Sequence, residues 1–309
     1  MWTQIAARIT ESTGEDFQIN NRHSVSGGCI NQGYAVIGNT ATYFVKLNKA
    51  SQVQMFEAEA LGLKQMRETK TIRVPKPICF GTVADFAYIV MEWLELGSSN
   101  NTKSWEQMGC QLAAMHHTKP PQPKENLKVE SSNHQPSTPQ RKFGWNFNNT
   151  IGSTPQINHW TSNWTEFFTE HRIKYQFQLA ARRGGYFPQQ DRLLAAIPKL
   201  LDHQPQPSLV HGDLWGGNAA VTTSGEPVIL DPATYIGDRE VDIAMTELFG
   251  GFPSAFYVAY NDAWPLDSGY KQRKTLYNLY HILNHFNLFG GGYASQANRM
   301  IEQILSYVR

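Results

Sequence analysis

The most informative part of the sequence is one octapeptide, His211-Gly212-Asp213-Leu214-Trp215-Gly216-Gly217-Asn218. Asp213 precedes Asn218 by five residues, and the glycines between them allow the backbone to turn so that both side chains face one cavity. Phosphoryl transfer to an alcohol needs a carboxylate that orients and deprotonates the hydroxyl, and oxygen ligands for the magnesium ion on the nucleotide. The octapeptide therefore predicts Asp213 as the general base and Asn218 as a metal ligand. The alternative for the His-Gly-Asp tripeptide alone is a plain turn.

A second carboxylate follows in the stretch Val228-Ile229-Leu230-Asp231-Pro232. Its apolar residues predict a short strand that ends at Asp231. Protein kinases have the same Asp-to-Asn spacing in the catalytic loop and a metal-binding aspartate shortly after it. We interpret Asp231 as a second metal ligand, and the alternative is a strand followed by an Asp-Pro turn.

A lysine stands alone among apolar residues in the predicted strand 43–47, Tyr-Phe-Val-Lys-Leu. Lys46 can hold the α- and β-phosphates of ATP if a carboxylate of a neighbouring helix keeps it in place. Glu57 and Glu59 on the next predicted helix are both candidates for that carboxylate. The alternative is a strand lysine that faces solvent.

Three further stretches are candidates for the nucleotide site or its support. Gly27 and Gly28 lie between two predicted strands, where glycines let backbone N–H groups approach phosphates, although a hairpin turn explains them as well. Glu92–Leu94 follows the last predicted strand of the sheet and offers its backbone to adenine. Asp242 opens a predicted helix, and it can either cap that helix or brace the loop of Asp213.

The order of predicted elements indicates an α+β chain of two lobes, and the similarity of its motifs to those of protein kinases implies a bilobal, protein-kinase-like fold. Residues 1–94 are predicted to form a small antiparallel-sheet lobe, and residues 95–309 a larger, mainly helical lobe. Residues 119–142 are rich in Pro, Gln, Ser, Asn and Lys, and they are predicted to form a surface loop insertion. The predicted helices and strands are as follows: helices to Gly14 and over 51–68, 105–117, 161–183, 190–201, 241–249, 270–289 and 294–308; strands over 17–19, 34–37, 42–47, 78–83 and 87–91.

Composition narrows the class of protein without identifying it. Hydrophobic residues make up 41% of the chain and charged residues 17%, as in ordinary globular proteins. The net charge of +1 gives no reason to expect nucleic-acid binding. No apolar run has membrane-spanning length, and the first nine residues do not resemble a secretory signal. The three cysteines have no metal-ligand spacing, so we expect a cytoplasmic protein.

Aromatic and histidine residues recur at helical spacing near the end of the chain. These residues are predicted to be core: Tyr257, Tyr260, Tyr277, Tyr280, Phe286 and Phe289. His281 and His285 lie four residues apart on one predicted helix. Because no carboxylate of a zincin motif accompanies them, packing is the favoured interpretation over metal binding.

Taken together, these motifs resemble the fructosamine kinase (ketosamine-3-kinase) family, whose relatives include choline and aminoglycoside kinases. The resemblance covers nearly the whole chain and is most specific in the octapeptide and in residues 231–245, Asp-Pro-Ala-Thr-Tyr-Ile-Gly-Asp-Arg-Glu-Val-Asp-Ile-Ala-Met. It also includes these stretches: Gly27–Ile30, Phe44–Lys46, Phe56–Glu59, Phe143–Asn146, Asn149–Ser153, Phe249–Pro253 and Tyr277–His281. The loop at 119–142 is longer than the family pattern, which leaves the rim of the acceptor pocket in doubt.

The resemblance implies a cofactor set, an acceptor and residue roles. It implies ATP and Mg²⁺, with Asp213 as proton acceptor, Asn218 and Asp231 at the metal, Lys46 at the ATP phosphates and adenine along Glu92–Leu94. It also favours Glu59 over Glu57 as the partner of the lysine.

The implied acceptor is a free or protein-bound ketosamine that is phosphorylated on the hydroxyl of C3. The phosphorylated adduct decomposes, so the implied activity is a protein-repair reaction. Trp215 and His211 are the candidate acceptor contacts. Trp215 offers a ring face to the C–H surface of a sugar, and packing beneath the loop is its alternative.

Two rival classes and one regulatory hypothesis remain open. An aminoglycoside- or choline-type phosphotransferase has the same chemistry, and a non-catalytic nucleotide-binding scaffold has the same fold. A scaffold usually lacks the lysine, the base or a metal ligand, whereas this sequence has a candidate for each. Cys29, beside Gly27 and Gly28, is predicted as a redox switch, so the chain is expected to be a monomer or a redox-linked homodimer.

Overall fold

The computed structural model describes residues 1–25, 30–97, 101–121 and 142–308. Gly27, Gly28 and Cys29 lie outside these residues, and so does most of the predicted loop insertion. The predicted phosphate-covering loop and redox switch therefore stay predictions.

The first part of the chain alternates one helix, three strands, a second helix, two strands and a third helix. Its elements are α1 Trp2–Thr13, β1 Ile19–Val25, β2 Gln32–Gly38, β3 Thr42–Lys49, α2 Val53–Glu68, β4 Pro77–Val83, β5 Phe86–Glu92 and α3 Thr102–His117. A single 3₁₀ turn, Ala50–Gln52, joins β3 to α2. Gly14, with φ of 78°, ends α1 in the left-handed conformation that glycine adopts without steric cost.

The second part is mainly helical and carries three short strand pairs. Its elements are β6 Asn149–Ile151, β7 Thr154–Gln156, α4 Trp164–Phe168, α5 Tyr175–Arg182, α6 Gln190–Leu200, β8 Pro207–Val210, β9 Ala219–Val221, β10 Pro227–Ile229, β11 Tyr235–Asp238, α7 Glu240–Thr246, α8 Ser254–Ala263, α9 Tyr270–Phe289 and α10 Tyr293–Ser306. A π-helical segment, Thr169–Lys174, joins α4 to α5. No helix among the described residues is both long and apolar enough to cross a membrane.

The chain forms two compact units. Unit 1 contains Met1–Met115, Gly217–Ala233 and Pro253–Ala263, and unit 2 contains His116–Gly216, Thr234–Phe252 and Trp264–Arg309. The predicted boundary between residues 94 and 95 stays a prediction about how the lobes divide. The α+β class is confirmed, because an antiparallel sheet precedes a mainly helical part.

Unit 1 is built on a five-stranded antiparallel sheet with the order β1-β2-β3-β5-β4. Helix α1 packs against one face of the sheet. The hydrophobic core between them includes Ile5 and Ile9 of the helix and Val45 and Leu47 of β3. Side chains alternate along a strand, so Lys46 points to the opposite face. The sheet therefore has one apolar face and one face that presents Lys46.

The predicted first strand over 17–19 was wrong. The strand begins at Ile19 and runs to Val25 as an edge strand whose five central residues are exposed and polar. An edge strand exposed on both faces has no apolar alternation, so its sequence carries little strand signal. Phe17, which suggested the strand, is instead a core residue beside α1.

Unit 2 consists of helices packed around α9, with two strand pairs. Strand β8 pairs antiparallel with β11, and Tyr235 lies opposite Val210. This pair lies immediately before two functional segments, because the loop of Asp213 follows β8 and helix α7 follows β11. The pairing brings the loop and the helix together.

Candidate active site

Lys46 is the centre of a three-residue ion cluster in unit 1. Its Nζ lies 2.7 Å from Glu59 Oε1 and 2.7 Å from Asp231 Oδ1. Lys46 and Glu59 are buried, whereas 51% of the Asp231 side chain is exposed. Burial by itself lowers the pKa of the Lys46 ammonium. The negative charges of Asp231 and Glu59 outweigh burial and raise this pKa above its ordinary value. Lys46 is therefore a fixed positive charge. Glu57 lies exposed on α2, so Glu59 is the helix partner.

The hairpin β9–β10 holds Asn218 and Asp231 at one end. Ile229 pairs with Ala219, and the N–H of Leu230 donates to Asn218 O at 2.9 Å. Asn218 and Asp231 lie just beyond this pairing, so one hairpin end carries an amide and a carboxylate. Asp231 has φ of 56°, a left-handed conformation that is uncommon for residues other than glycine.

This donor set fits a magnesium ion. Carboxylate and amide oxygens are hard ligands of the kind that Mg²⁺ takes, and the ion usually shares them with phosphates and water. Half of the Asp231 side chain is exposed, so it can reach a ligand while Lys46 holds one of its oxygens.

The predicted adenine segment is attached to the same hairpin within unit 1. Arg73 forms an ion pair with Glu92, and the backbone oxygen of Arg73 accepts the N–H of Ile229 in β10 at 3.1 Å. Beyond Leu94, the N–H of Gly97 donates to Val221 O of β9 at 2.8 Å. Strand β5, the segment after it and the hairpin therefore form one hydrogen-bonded structure. The ring of Trp93 lies near that of Phe44, with 6.4 Å between centroids.

Asp242 braces the loop of Asp213 in unit 2. Its carboxylate accepts the N–H of His211 at 2.7 Å and the N–H of Gly212 at 2.8 Å, and it lies 3.0 Å from Nε2 of His116. All of these side chains are fully buried. Of the two roles that the sequence left open for Asp242, the structure selects the brace: the N-cap position of α7 is Arg239, and the carboxylate that accepts the first N–H of the helix, that of Glu240, belongs to Asp238.

The carboxylate of Asp242 should stabilise the fold in a pH-dependent way. Burial raises its pKa, but the hydrogen bond and charge of His116 outweigh burial and lower the pKa below its ordinary value. A lowered folded-state pKa means that the stabilisation is present above the unfolded-state pKa and is lost as the pH falls through the folded-state pKa. Asp242→Asn should therefore lower the free energy of unfolding by roughly 3 kcal/mol at neutral pH, and by less near pH 3.

Denaturant unfolding at a series of pH values measures this effect. Asp262→Asn, at an exposed position of α8, is the matched control and should match wild type. A destabilisation by Asp242→Asn that stays constant down to pH 3 would show that its charge is not involved.

Asp213, the predicted base, lies in a partly closed position at the end of this braced loop. A quarter of its side chain (24%) is exposed, and its Oδ1 lies 4.0 Å from Nδ1 of His281 on α9. Burial lowers the pKa of His281 to about 3, so this histidine is neutral at physiological pH. His281 therefore places no positive charge beside Asp213.

The two predicted acceptor contacts differ in exposure. Trp215 is 40% exposed and touches Phe249 edge to face, so its ring is available to a ligand. His211 is fully buried, and its Nδ1 accepts the N–H of Asp213 at 3.2 Å. This arrangement gives no support to the predicted acceptor contact by His211, because a buried ring is shielded from solvent. Its observed contact supports the loop instead.

Sequence reasoning missed two supporting residues. His116 was assigned only to a helix, although it lies in the last turn of α3 beside Asp242. Arg73 precedes the Val-Pro-Lys-Pro break and carried no motif at all. In both cases the partner is distant in the sequence, at Asp242 and Glu92, so local spacing held no signal.

This chain is similar to known proteins along nearly its whole length. The profile of the fructosamine kinase family matches residues 1–307. The chain belongs to the fructosamine kinase family. A "probable ketoamine kinase" of Synechocystis sp. is 55% identical over 305 residues, which cover 98% of this chain and 97% of that protein. A chloroplastic "protein-ribulosamine 3-kinase" of Arabidopsis thaliana is 40% identical over 301 residues, which cover 96% and 86%.

Solved structures of the fructosamine kinase family and beyond share the fold. The "putative fructosamine-3-kinase" of Haemophilus somnus 129PT has a TM-score of 0.87 and 31% identity, with 99% of this chain and 98% of that chain covered. The choline kinase LicA of Streptococcus pneumoniae has a TM-score of 0.63 at 14% identity, covering 99% of each chain. An aminoglycoside phosphotransferase has a TM-score of 0.60 at 13% identity over 98% of each chain. The predicted family and kinase-like fold are confirmed.

Proposed function

We propose that this protein is an ATP-dependent kinase that phosphorylates ketosamines on the hydroxyl of C3. The observation that carries the proposal is the full-length similarity to ketoamine and ribulosamine kinases, together with a braced loop that presents Asp213. A phosphate on the C3 hydroxyl makes the adduct unstable. The adduct then decomposes and releases the amine, so the reaction repairs glycated amines.

In the proposed reaction Asp213 acts on the acceptor. Its carboxylate accepts the proton of the hydroxyl as the hydroxyl oxygen forms a bond to the γ-phosphorus. The bond from that phosphorus to the bridging oxygen breaks, and ADP leaves with the electron pair. The brace by Asp242 supports this role because it fixes the backbone of the two residues before the base.

Residues of unit 1 hold the nucleotide in this proposal. Lys46 pairs with the α- and β-phosphates, and Glu59 keeps it in position. Asn218 and Asp231 would hold a magnesium ion, which supplies charge neutralisation to the phosphates. The backbone of Glu92–Leu94 takes adenine, and the predicted phosphate contact of Gly27 and Gly28 lies outside the described residues. Membership in a kinase family supports ATP as the donor.

The acceptor side uses Trp215, whose exposed ring offers a face to the C–H surface of the sugar. Aminoglycosides and choline are the rival acceptors. The solved kinases named for them share only the fold with this chain, at 13–14% identity. A non-catalytic scaffold is disfavoured because the lysine, the base and both metal ligands are all present in this sequence.

A screen of acceptors tests the proposal directly. The enzyme with ATP and Mg²⁺ should transfer phosphate to ribose-, erythrose- or fructose-derived ketosamines, and NMR of the product should locate the phosphate on the hydroxyl of C3. The same amines without a sugar serve as controls and should accept none. Transfer only to aminoglycosides or choline would move the chain to a rival function, and nucleotide binding without any transfer would favour the scaffold.

A further inference from the structure

A series of five aromatic rings runs through unit 2 away from the base. We call Trp215, Phe249, His285, Phe289 and Tyr293 the ring series. Centroid distances are 6.4 Å from Trp215 to Phe249, 4.9 Å from Phe249 to His285, 5.6 Å from His285 to Phe289 and 5.1 Å from His285 to Tyr293. Each separation lies within the range of direct ring contact. The series is therefore a continuous aromatic surface that begins two residues after Asp213.

Helix α9 connects the ring series to the base by a second route. His281, His285 and Phe289 are spaced four residues apart, so they follow one another along a single face of the helix. His281 lies 4.0 Å from Asp213 and is only 5% exposed, His285 is half-buried, and Phe289 is 55% exposed. Exposure therefore increases from the base towards the far end of the face, which leads from the reacting group to solvent.

The ring series carries no fixed charge. Burial lowers the pKa of His285, so its imidazole is neutral at physiological pH. Its Nδ1 is buried and has no hydrogen-bond partner among the described residues. The series is thus uncharged along its whole length, and neutral rings do not repel the ammonium that a secondary amine carries at neutral pH.

Packing alone does not account for Phe289. The sequence predicts it as a core residue, and this prediction was wrong, because the side chain is more than half exposed near the end of α9. The glycines after α9 leave open space beside the chain, since a Cβ added at Gly290, Gly291 or Gly292 would meet nothing within 4 Å. Exposed apolar surface that continues from a buried functional residue is typical of a ligand-binding surface.

The proposed acceptor has a part that such a surface fits. In a ketosamine C1 bears the amine, and the hydroxyl that is phosphorylated is on C3, two carbons away. With that hydroxyl at Asp213, the amine and its substituent must extend away from the base. We propose that the ring series binds the substituent on the acceptor's amine and gives the enzyme a preference for ketosamines whose substituent is apolar and aromatic. This inference rests on the proposed function and specifies the substrate class of the same site.

Two acceptors and two variants test the proposal. The acceptors are ribulosamines of benzylamine and of methylamine, which share the sugar and differ in the ring. Wild type should have about tenfold higher kcat/KM for the benzyl adduct, the effect expected for one buried aromatic contact. Phe289→Ser should remove most of this ratio, mainly by raising KM for the benzyl adduct, and leave the methyl adduct unchanged. Tyr293→Ser should act in the same direction.

The control is Tyr186→Ser, which removes a 78% exposed ring elsewhere in unit 2 and should keep the wild-type ratio. Equal kcat/KM of wild type for both adducts, or an unchanged ratio in both ring-series variants, would overturn the inference and leave the proposed function intact. A failure to phosphorylate either adduct would instead refute the proposed function, and this inference with it. Thermal melting of each variant verifies that a lost ratio does not reflect a lost fold.

Discussion

Replacing Asp213 with asparagine should lower kcat by roughly 10²–10⁴-fold, the usual contribution of a general base. Asparagine has nearly the same shape but cannot accept the proton of the hydroxyl. The hydrogen bonds that shape the loop use the backbone of Asp213, whose N–H donates to His211 and whose oxygen accepts from Trp215. The loop should therefore survive the substitution, and the affinity for ATP should remain close to that of wild type.

The measurement pairs steady-state ADP release with calorimetric titration of ATP in the presence of Mg²⁺. Asp191→Asn, at an exposed position in the first turn of α6, is the matched control and should retain full activity. Activity of Asp213→Asn within a few-fold of wild type would exclude this residue as the base. A parallel loss of ATP affinity would place it at the nucleotide instead.

Replacing Asp231 with alanine should weaken the binding of Mg·ATP and lower kcat together. Two interactions are lost, because Asp231 is the predicted charged metal ligand and also pairs with Lys46 at 2.7 Å. One interaction with a charged group contributes roughly 1.5–3 kcal/mol, and of the two only the metal contact acts on the bound nucleotide, so nucleotide affinity should fall by roughly 10–100-fold. Asn218→Ala should act in the same direction with a smaller effect, since it removes a neutral ligand.

Asp231→Asn removes the charge with less strain on the backbone, since asparagine tolerates the left-handed conformation better than alanine does. Comparing the two variants therefore distinguishes the effect of the lost charge from that of a changed backbone. Titration of activity with Mg²⁺ should show a higher magnesium requirement in both Asp231 variants. Glu57→Ala, on the exposed side of α2, is the control and should titrate like wild type. An unchanged magnesium requirement in Asp231→Ala and Asp231→Asn would refute the assignment of Asp231 to the metal.

Elements with regular patterning were predictable from the sequence. Helix α9 was predicted with its observed bounds, and α1 was predicted to end near Gly14. The three strand pairs outside the main sheet, each of three or four residues, were not predicted as pairs. Strands of that length carry too few residues to reveal a period.

Helix 161–183 was predicted as one regular helix, but its middle turn is π-helical. Arg172 lies in that turn, fully buried, with its guanidinium 4.1 Å from the ring centroid of Tyr235 and hydrogen-bonded to Asn158. An arginine in a helical pattern predicts an exposed residue. Its burial depends on aromatic and carbonyl partners from other segments, which helical periodicity does not encode.

The candidate site divides in the same way. Asp213, Asn218 and Asp231 could be named as candidates because the chemistry imposes a short spacing on residues of one or two loops, and their roles stay predictions. The partner of Lys46 needed the resemblance to separate Glu59 from Glu57. The structure explains that choice, because Glu59 lies on the buried side of α2 and Glu57 on the exposed side.

The left-handed backbone of Asp231 restricts the evolutionary freedom of this position. Glycine, asparagine and aspartate adopt such a conformation most readily, whereas a β-branched side chain at positive φ is strongly disfavoured. Glutamate would keep the charge but has a longer side chain and no special tolerance for positive φ. Of the three well-tolerated residues, only aspartate supplies a negative charge to Lys46 and to the predicted magnesium ion. Backbone geometry and charge therefore leave a single suitable amino acid, so this position has almost no room for neutral drift.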